Sequence, residues 1–216
     1  MQQIRPDLWI TEPYFPEPDG FPDLKFHGYL LTRPDGNLLI HTSEHEADHD
    51  VIAKLGGVSR QYLAHGHEAE PGIAKIRKRF GSILLAHRAA EADVSIHTEL
   101  DHPLDGGEAF EDGVEVFAAP GHTASNVALK VKSETGETYL FVGDTIFPRR
   151  GEWHGAVFPD EGGDTVTLQK SLAGLAGHHA DLVLFGVTIS DEPARRFSPE
   201  SWRAALDEAS ASIGQM

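Results

Sequence analysis

Residues that could bind a metal ion follow three apolar runs in this chain. His65 and His67 stand one residue apart in "YLAHGH", His122 follows Pro-Gly in "VFAAPGHTASN", and Asp144 ends "YLFVGD". Each apolar run is typical of a buried strand, so these side chains are expected where strands give way to loops. Imidazoles and carboxylates are ligands that Zn²⁺ binds in proteins. The pattern predicts one shared metal site with His65, His67, His122 and Asp144 as ligands.

The spacing within these segments supports the prediction. Residues two apart in an extended segment point to the same side, so His65 and His67 could address one ion. Gly66 lies between them, and Gly121 and Gly143 directly precede the other two candidates, which permits tight backbone at each turn. Taken singly, an H-x-H, a PGH or a VGD sequence is more often a structural or surface feature. The prediction rests on their occurrence together and in this order.

The elements that must position these residues follow from apolar periodicity. Strands are predicted in "LWITEP", "RQYLAH", "SILLAH", "VEVFAAPG", "NVALKVKS", "ETYLFVGD" and "ADLVLFGV", with a hairpin across "HGYLLTRPDGNLLIHT". Helices are predicted in "EHEADHDVIAKLG", "PGIAKIRKRFG", "DTVTLQKSLAGLAG" and "SPESWRAALDEASASI". Strands and helices occur in both halves, which favours two packed sheets covered by helices. No repeat or low-complexity tract divides the chain, so one domain over residues 1–216 is expected.

Composition restricts the partners of the protein. The formal net charge is −16, with 18 Lys and Arg against 34 Asp and Glu, which disfavours nucleic acid or an anionic membrane surface as a partner. The absence of cysteine excludes disulfides and thiolate metal sites. The apolar runs are too short to span a bilayer, so a cytoplasmic protein is expected. The expected partner is a small-molecule substrate. The sequence leaves the assembly open, including a homodimer.

The three ligand-bearing segments resemble the metallo-β-lactamase-fold superfamily. Its pattern is H-x-H-x-D-H, then a His after Pro-Gly, then an Asp in a Gly-Asp-x-hydrophobic-Phe segment. The runs "AHGHEAE", "APGHTASNVAL" and "YLFVGDTIF" follow this order, and the resemblance extends over nearly the whole chain. It implies an α/β fold, a four-layer αββα sandwich with metal at one edge of the paired sheets. It also implies that His65, His67 and His122 form the first metal position, and that Asp144 is the aspartate that bridges two metals.

The chain departs from the family pattern at the second metal position. Ala69 and Glu70 replace the Asp and His of H-x-H-x-D-H, Val187 stands where a late His is usual, and His41 stands where Asp is common. Of the second metal's ligands only Asp144 is left, with Glu70 as a candidate substitute. One divalent metal per chain is therefore expected, with zinc as the first expectation and iron as the alternative.

A single metal in this ligand set favours hydrolysis. Three neutral imidazoles, one carboxylate and a divalent ion leave one net positive charge, which lowers the pKa of a bound water from about 15.7 towards roughly 7. A hydrolase acting on an ester, thioester, lactone or similar small substrate is expected, with Asp144 as a fourth ligand or as the group that orients the water. Glu70, preferred over Glu68, is predicted to be the general base, and His154 is predicted to line the catalytic site. For each of these residues the alternative is an ordinary turn or loop position.

Two other functions remain open from the sequence. His65, His122 and Asp144 alone resemble a two-His-one-carboxylate arrangement, which would suit a mononuclear iron oxygenase of the persulfide-dioxygenase type. The departures from the family pattern would also suit a degenerate, non-catalytic member that binds a metal or another ligand.

Two further features are predicted to lie at the surface. His45 and His49 lie four residues apart on a predicted helix, among four acidic residues between positions 44 and 50, and a solvated charged face is predicted rather than a metal pair. Residues 14–26, rich in Pro, aromatic and acidic residues, are predicted to be a loop or flap that covers either the pocket mouth or simply a sheet edge.

Overall fold

The strands and helices of the N-terminal half follow the predicted apolar runs. The computed structural model describes residues 1–15 and 23–214. The strands in this half are β1 (Gln2–Arg5), β2 (Leu8–Ile10), β3 (Leu24–Phe26), β4 (Tyr29–Leu31), β5 (Leu38–Ile40), β6 (Arg60–Tyr62), β7 (Ile83–His87) and β8 (His102–Leu104). The helices are α1 (Glu46–Lys54), α2 (Gly72–Phe80) and α3 (Glu91–Val94). Every element predicted in this half is present, although β6 ends before the histidine pair.

The C-terminal half contributes the other strands and two longer helices. The strands are β9 (Val114–Ala118), β10 (Val127–Lys132), β11 (Thr138–Phe141), β12 (Phe147–Arg149), β13 (Glu152–His154), β14 (Leu182–Leu184), β15 (Val187–Ile189) and β16 (Ala194–Arg195). The helices are α4 (Thr165–Leu175) and α5 (Pro199–Ser212). Asp164 caps α4 by accepting a hydrogen bond from a backbone amide of its first turn, as predicted, and Ser198 caps α5 in the same way.

The described strands form two large sheets and one small sheet. The first large sheet has the order β1-β2-β4-β5-β6-β7-β8, and the second has the order β16-β14-β11-β10-β9. The small sheet, β13-β12-β15-β3, lies beside them and joins strands from both halves of the chain. In the first sheet, β5 to β8 run parallel to one another, so their carboxyl ends share one edge.

Burial on both faces explains why the central strands are apolar without alternation. In β4, Tyr29 and Leu31 enter the core between the two large sheets, whereas Leu30 enters a separate core beneath the helices. Ile52 of α1 and Ile76 of α2 pack in that helical core. The second sheet is covered in the same way on its outer face, by side chains of α4 and α5. The layers are therefore helix, sheet, sheet and helix, which confirms the predicted αββα sandwich.

Helix α1 differs from the predicted solvated face. Asp48 and His49 are each only 1% exposed. The Asp48 carboxylate accepts hydrogen bonds from the hydroxyl of Ser43 at 2.7 Å and the amide of Glu12 at 2.9 Å, and His49 Nε2 lies 2.9 Å from the carbonyl oxygen of Ser43. These side chains satisfy backbone groups of adjoining turns, which the helical charge pattern does not reveal.

The segment predicted as a flap is described only in part. Residues 16–22 lie outside the described residues. Of the rest, Leu24–Phe26 forms strand β3 rather than a loop, because it pairs with β15, and Tyr14 forms an antiparallel bridge to Phe26. In the described part of the chain, no helix combines the length and apolar character needed to cross a bilayer.

Candidate metal centre

Strand direction brings the predicted ligands to one edge of the sandwich. His65 follows β6 in the first sheet, and His122 and Asp144 follow β9 and β11 in the second. Both β9 and β11 are antiparallel to β10, so their carboxyl ends lie at the same edge. The backbone of Gly143, with φ +53°, passes so close to Ala64 that a Cβ there would lie 2.7 Å from the Ala64 Cβ. This contact joins the turns of the two sheets beside the histidines.

The four predicted ligands converge. One ligand atom from each of His65, His67, His122 and Asp144 lies within 4.8 Å of all the others. Nε2 of His65 is 3.3 Å from Oδ2 of Asp144, Nε2 of His122 is 3.8 Å from the same oxygen, and Nε2 of His122 is 3.4 Å from Nδ1 of His67. Bonds of about 2.0–2.1 Å in a tetrahedral zinc site separate neighbouring ligand atoms by about 3.3 Å. The three separations given above lie near this value, so the cluster could hold one divalent ion, and it is the sole group of this kind among the described residues.

The turn that carries the histidine pair is not the predicted extended segment. His65 is extended, with φ −167° and ψ −180°, but Gly66–Glu68 forms a 3-10 turn. The prediction that strand alternation aligns His65 and His67 was therefore wrong, although the two rings do meet, with centroids 4.9 Å apart. The amide of Gly66 donates to the hydroxyl of Ser125 at 3.0 Å, which ties this turn to the segment that carries His122.

Each imidazole lies near an oxygen atom at the nitrogen that faces away from the cluster. Nδ1 of His65 lies 3.2 Å from Oε1 of Glu68, and Nδ1 of His122 donates to the carbonyl oxygen of Ala156 at 3.0 Å. Nε2 of His67 donates to a carboxylate oxygen of Glu161. Such outer contacts fix which nitrogen keeps its proton and which presents a lone pair to a metal.

Glu68 and His41 are buried beside His65, and the sequence did not predict the contacts that Glu68 makes with these two histidines. Glu68 is 4% exposed, and its Oε2 accepts a hydrogen bond from the amide of Ala64 at 2.6 Å. Its Oε1 lies between His65 and Nε2 of His41, 3.0 Å from the latter. His41 has a left-handed backbone, with φ +65°, and its Nδ1 is 2.8 Å from the carbonyl oxygen of His27. The sequence does contain one indication of the contact between Glu68 and His65. Glu68 stands three residues after His65, and a turn between two such residues brings their side chains together.

The residues that depart from the family pattern offer no second cluster of ligands. Val187 is 3% exposed and packs with Phe147 and Ile189 in an apolar cluster. Glu70 borders a cavity of about 30 Å³ beside His67, which is room for a single water. Burial, followed by the charge of Glu44, raises the pKa of Glu70 above its ordinary value.

His154 lies in β13 and is not one of the four converging residues. Its Nε2 is 3.6 Å from a carboxylate oxygen of the exposed Glu152, and its ring stacks on Phe147 with centroids 6.2 Å apart. The catalytic roles expected for His154 and Glu70 stay predictions.

Burial and the neighbouring charges shift the pKa values of the clustered residues in different directions. Burial alone would raise the pKa of Asp144, but the neighbouring imidazoles, first His65 and then His122 and His41, hold it well below its usual range. Burial would lower the pKa of His65, but Asp144 and then Glu68 raise it to about 10. Burial lowers the pKa of His122 to about 3, so its imidazole is neutral and able to bind a metal. The site thus holds an ionised Asp144 carboxylate beside a neutral His122 imidazole at neutral pH.

Sequence comparison alone does not place the chain. No family model matches it, and a search of curated proteins finds no match.

Comparison with solved structures does identify the fold. A metallo-β-lactamase from Pontibacter korlensis superposes with a TM-score of 0.73 at 18% identity, covering 95% of this chain and 97% of the other. A metallo-β-lactamase from Cronobacter sakazakii, described by a HARLDQ motif, gives a TM-score of 0.62 at 18% identity, covering 82% and 81%. A B3 metallo-β-lactamase described as having an active-site glutamic acid gives 0.63 at 12% identity, covering 88% and 85%. The expectation from the sequence motifs is confirmed: the chain has the metallo-β-lactamase fold.

Proposed function

We propose that the protein is a hydrolase that uses one divalent metal, with zinc as that metal, against an ester, thioester, lactone or similar small substrate. The observation that carries the proposal is the convergence of three imidazoles and one carboxylate within 4.8 Å at the edge of the two sheets. In a protein that kept the fold but bound no metal, nothing would favour the close approach of these four polar side chains. The neighbouring structures are described as metallo-β-lactamases, which supports metal-dependent hydrolysis as the class of reaction.

The ligand residues have distinct roles in this proposal. His65, His67 and His122 would hold the metal, which would supply Lewis acidity that lowers the pKa of a bound water towards about 7. Asp144 is kept ionised by its imidazole neighbours, so it can serve as a fourth ligand or accept a hydrogen bond that orients the water. Glu68 would hold the ring of His65 from the opposite side.

Glu70 is the proposed general base. It borders the small cavity next to His67, and burial raises its pKa, which suits a carboxylate that takes up a proton during reaction. One of the neighbouring metallo-β-lactamases is described as having an active-site glutamic acid, which supports a place for a glutamate in the active site of this fold. His154 is proposed only as a pocket residue, since it is not one of the four converging residues.

The ligand set favours zinc over iron. A two-His-one-carboxylate iron site leaves several positions open for oxygen and substrate. Here Nδ1 of His67 also faces the cluster, 3.4 Å from Nε2 of His122, which adds a third imidazole. Three imidazoles and one oxygen ligand are a common zinc environment.

The partners follow from the charge of the chain. We propose a small-molecule substrate, with neither nucleic acid nor an anionic membrane as partner, because the net charge of −16 would be repelled by both. We also propose a cytoplasmic location. A homodimer stays a prediction, as does the single domain over residues 1–216.

Metal analysis combined with turnover tests this proposal. Protein purified without added metal should contain about one zinc per chain and hydrolyse members of a panel of esters, thioesters and lactones. The His122→Ala variant should lose both metal and turnover, whereas His179→Ala, at an exposed histidine far along the chain, should keep both. Iron together with oxygen uptake would indicate an oxygenase, and zinc without turnover across the panel would indicate a non-catalytic binding protein. Either result would overturn the proposed hydrolase.

A further inference from the structure

The loop of residues 155–163 contacts two of the three histidines of the metal centre. We call these residues the site loop. Phe158 packs edge-on against the rings of His67 and His122, with centroids 4.9 Å apart in both pairs. Glu161, in the same loop, accepts a hydrogen bond from Nε2 of His67. The sequence gives no reason to connect Glu161 with His67, because 94 positions separate them.

Backbone hydrogen bonds fix the site loop to the turn that carries His122. The amide of Phe158 donates to the carbonyl oxygen of His122 at 2.9 Å, and the amide of Ala124 donates to the carbonyl oxygen of Glu161 at 3.0 Å. The approach is so close that a Cβ on Gly163 would lie 2.4 Å from the carbonyl oxygen of His122. These contacts dock the loop on the His122 turn, and in this position the Glu161 carboxylate faces His67.

His67 is the imidazole that packing holds least firmly. Its side chain is 26% exposed, whereas the side chains of His65 and His122 are 0% and 4% exposed. A neutral imidazole has one nitrogen that donates and one that accepts, and an ionised carboxylate can only accept. The contact with Glu161 therefore keeps the proton on Nε2 of His67 and leaves the lone pair of Nδ1 directed at the cluster. Rotation of the ring would remove that lone pair from the site.

We propose that Glu161 is a positioning residue that fixes the ring and tautomer of His67, so that metal affinity depends on docking of the site loop. The inference rests on the proposed metal centre, but it concerns a residue outside the ligand set. Outer hydrogen-bond partners of metal-binding histidines typically change metal affinity or activity by about 10–100-fold when they are removed.

Zinc affinity of loop variants tests the proposal without any substrate. The dissociation constant, measured by competition with a chromophoric chelator, should rise by about 10–100-fold in Glu161→Ala. Glu161→Gln keeps an oxygen that can accept from Nε2, so it should recover part of the loss. Asp160→Ala, at an exposed acidic residue beside it in the same loop, is the matched control and should bind zinc as the parent protein does. Equal dissociation constants for Glu161→Ala and Asp160→Ala would overturn the proposal.

Nitrogen NMR of the metal-free protein gives a second readout that a general loss of stability would not produce. Long-range ¹⁵N–¹H spectra at pH 8 should show His67 as a single tautomer with the proton on Nε2 and, in Glu161→Ala, as a mixture that averages between forms. An unchanged tautomer would contradict the positioning role. If the parent protein binds no zinc, the proposed function fails, while this spectrum still decides whether Glu161 positions His67.

A glycine variant tests the dependence on loop docking separately. Gly163→Ala should displace the loop from the carbonyl oxygen of His122 and weaken zinc binding, although it removes neither a ligand nor the Glu161 carboxylate. Gly107→Ala, where an added Cβ meets no atom within 4 Å, is the control. Unchanged zinc affinity in Gly163→Ala would contradict the link between the loop and the metal centre.

Discussion

Metal binding should release a proton from His65, and its strength should rise with pH. His65 is fully buried, with Nε2 3.3 Å from Asp144 and Nδ1 3.2 Å from Glu68. Burial alone would lower the pKa of its imidazole, but the two carboxylates raise that pKa to about 10. In the metal-free protein the ring therefore carries a proton on each nitrogen at neutral pH. A metal has to displace the proton on Nε2.

The size of the effect follows from that pKa. A ligand that must lose a proton before it binds gives an affinity that rises about tenfold for each pH unit below its pKa. The zinc dissociation constant should therefore fall by about 100-fold from pH 7 to pH 9 and level off as the pH passes the His65 pKa of about 10. His122 adds no second proton, because burial lowers its pKa to about 3. These two ligands together should release about one proton per zinc at pH 8.

Calorimetry in several buffers measures this release. Zinc titrations at pH 8 in buffers of different ionisation enthalpy give the number of protons released, and chelator competition at pH 7, 8 and 9 gives the change in affinity. The His179→Ala variant should behave like the parent protein, because its histidine is exposed. A release near zero, together with equal affinity at pH 7 and pH 9, would refute the view that His65 lies charged between two carboxylates and binds the metal.

Three substitutions test the packing that supports the site. Glu68→Gln removes a buried carboxylate beside His65. The free energy of unfolding of the metal-free protein, measured in urea, should therefore fall by about 1–3 kcal/mol. An unchanged urea midpoint would exclude a stabilising contact between the two residues. Gly143→Ala places a Cβ on a left-handed backbone, 2.7 Å from the Cβ of Ala64. The free energy of unfolding should fall by about 2–4 kcal/mol in the same assay. Full stability would mean that the turns of Gly143 and Ala64 are not in contact. Asp164→Ala removes the N-cap of α4 and should cost about 1 kcal/mol; no loss would show that the cap is dispensable.

Much of the fold could be predicted because its strands are buried on both faces. The run "YLL" of β4 sends Tyr29 and Leu31 to one core and Leu30 to another, so the whole run is apolar and easily recognised. Strands of the small sheet were harder to predict. In β13, Glu152 is exposed while Trp153 is buried, and a segment of three residues is too short for a periodic pattern.

The cluster of candidate ligands could be predicted because these residues follow strands whose carboxyl ends share an edge. The contacts that orient the ligands could not, because each depends on a loop whose position is set by packing. Glu161 meets His67 only because the site loop docks on the His122 turn, and His41 meets Glu68 only because β5 and β6 are parallel neighbours. The prediction of a solvated face on α1 failed for a similar reason. Asp48 is buried because it binds the backbone of Glu12, which is distant in sequence.

Zinc K-edge X-ray absorption on protein loaded with one equivalent of zinc tests the central claim most directly. The spectrum should show three imidazole ligands and at least one oxygen ligand at about 2.0–2.1 Å, without a metal–metal distance. His122→Ala should not yield this spectrum. Fewer than three imidazoles, or a second metal close to the first, would contradict the proposal that His65, His67 and His122 hold a single ion beside Asp144.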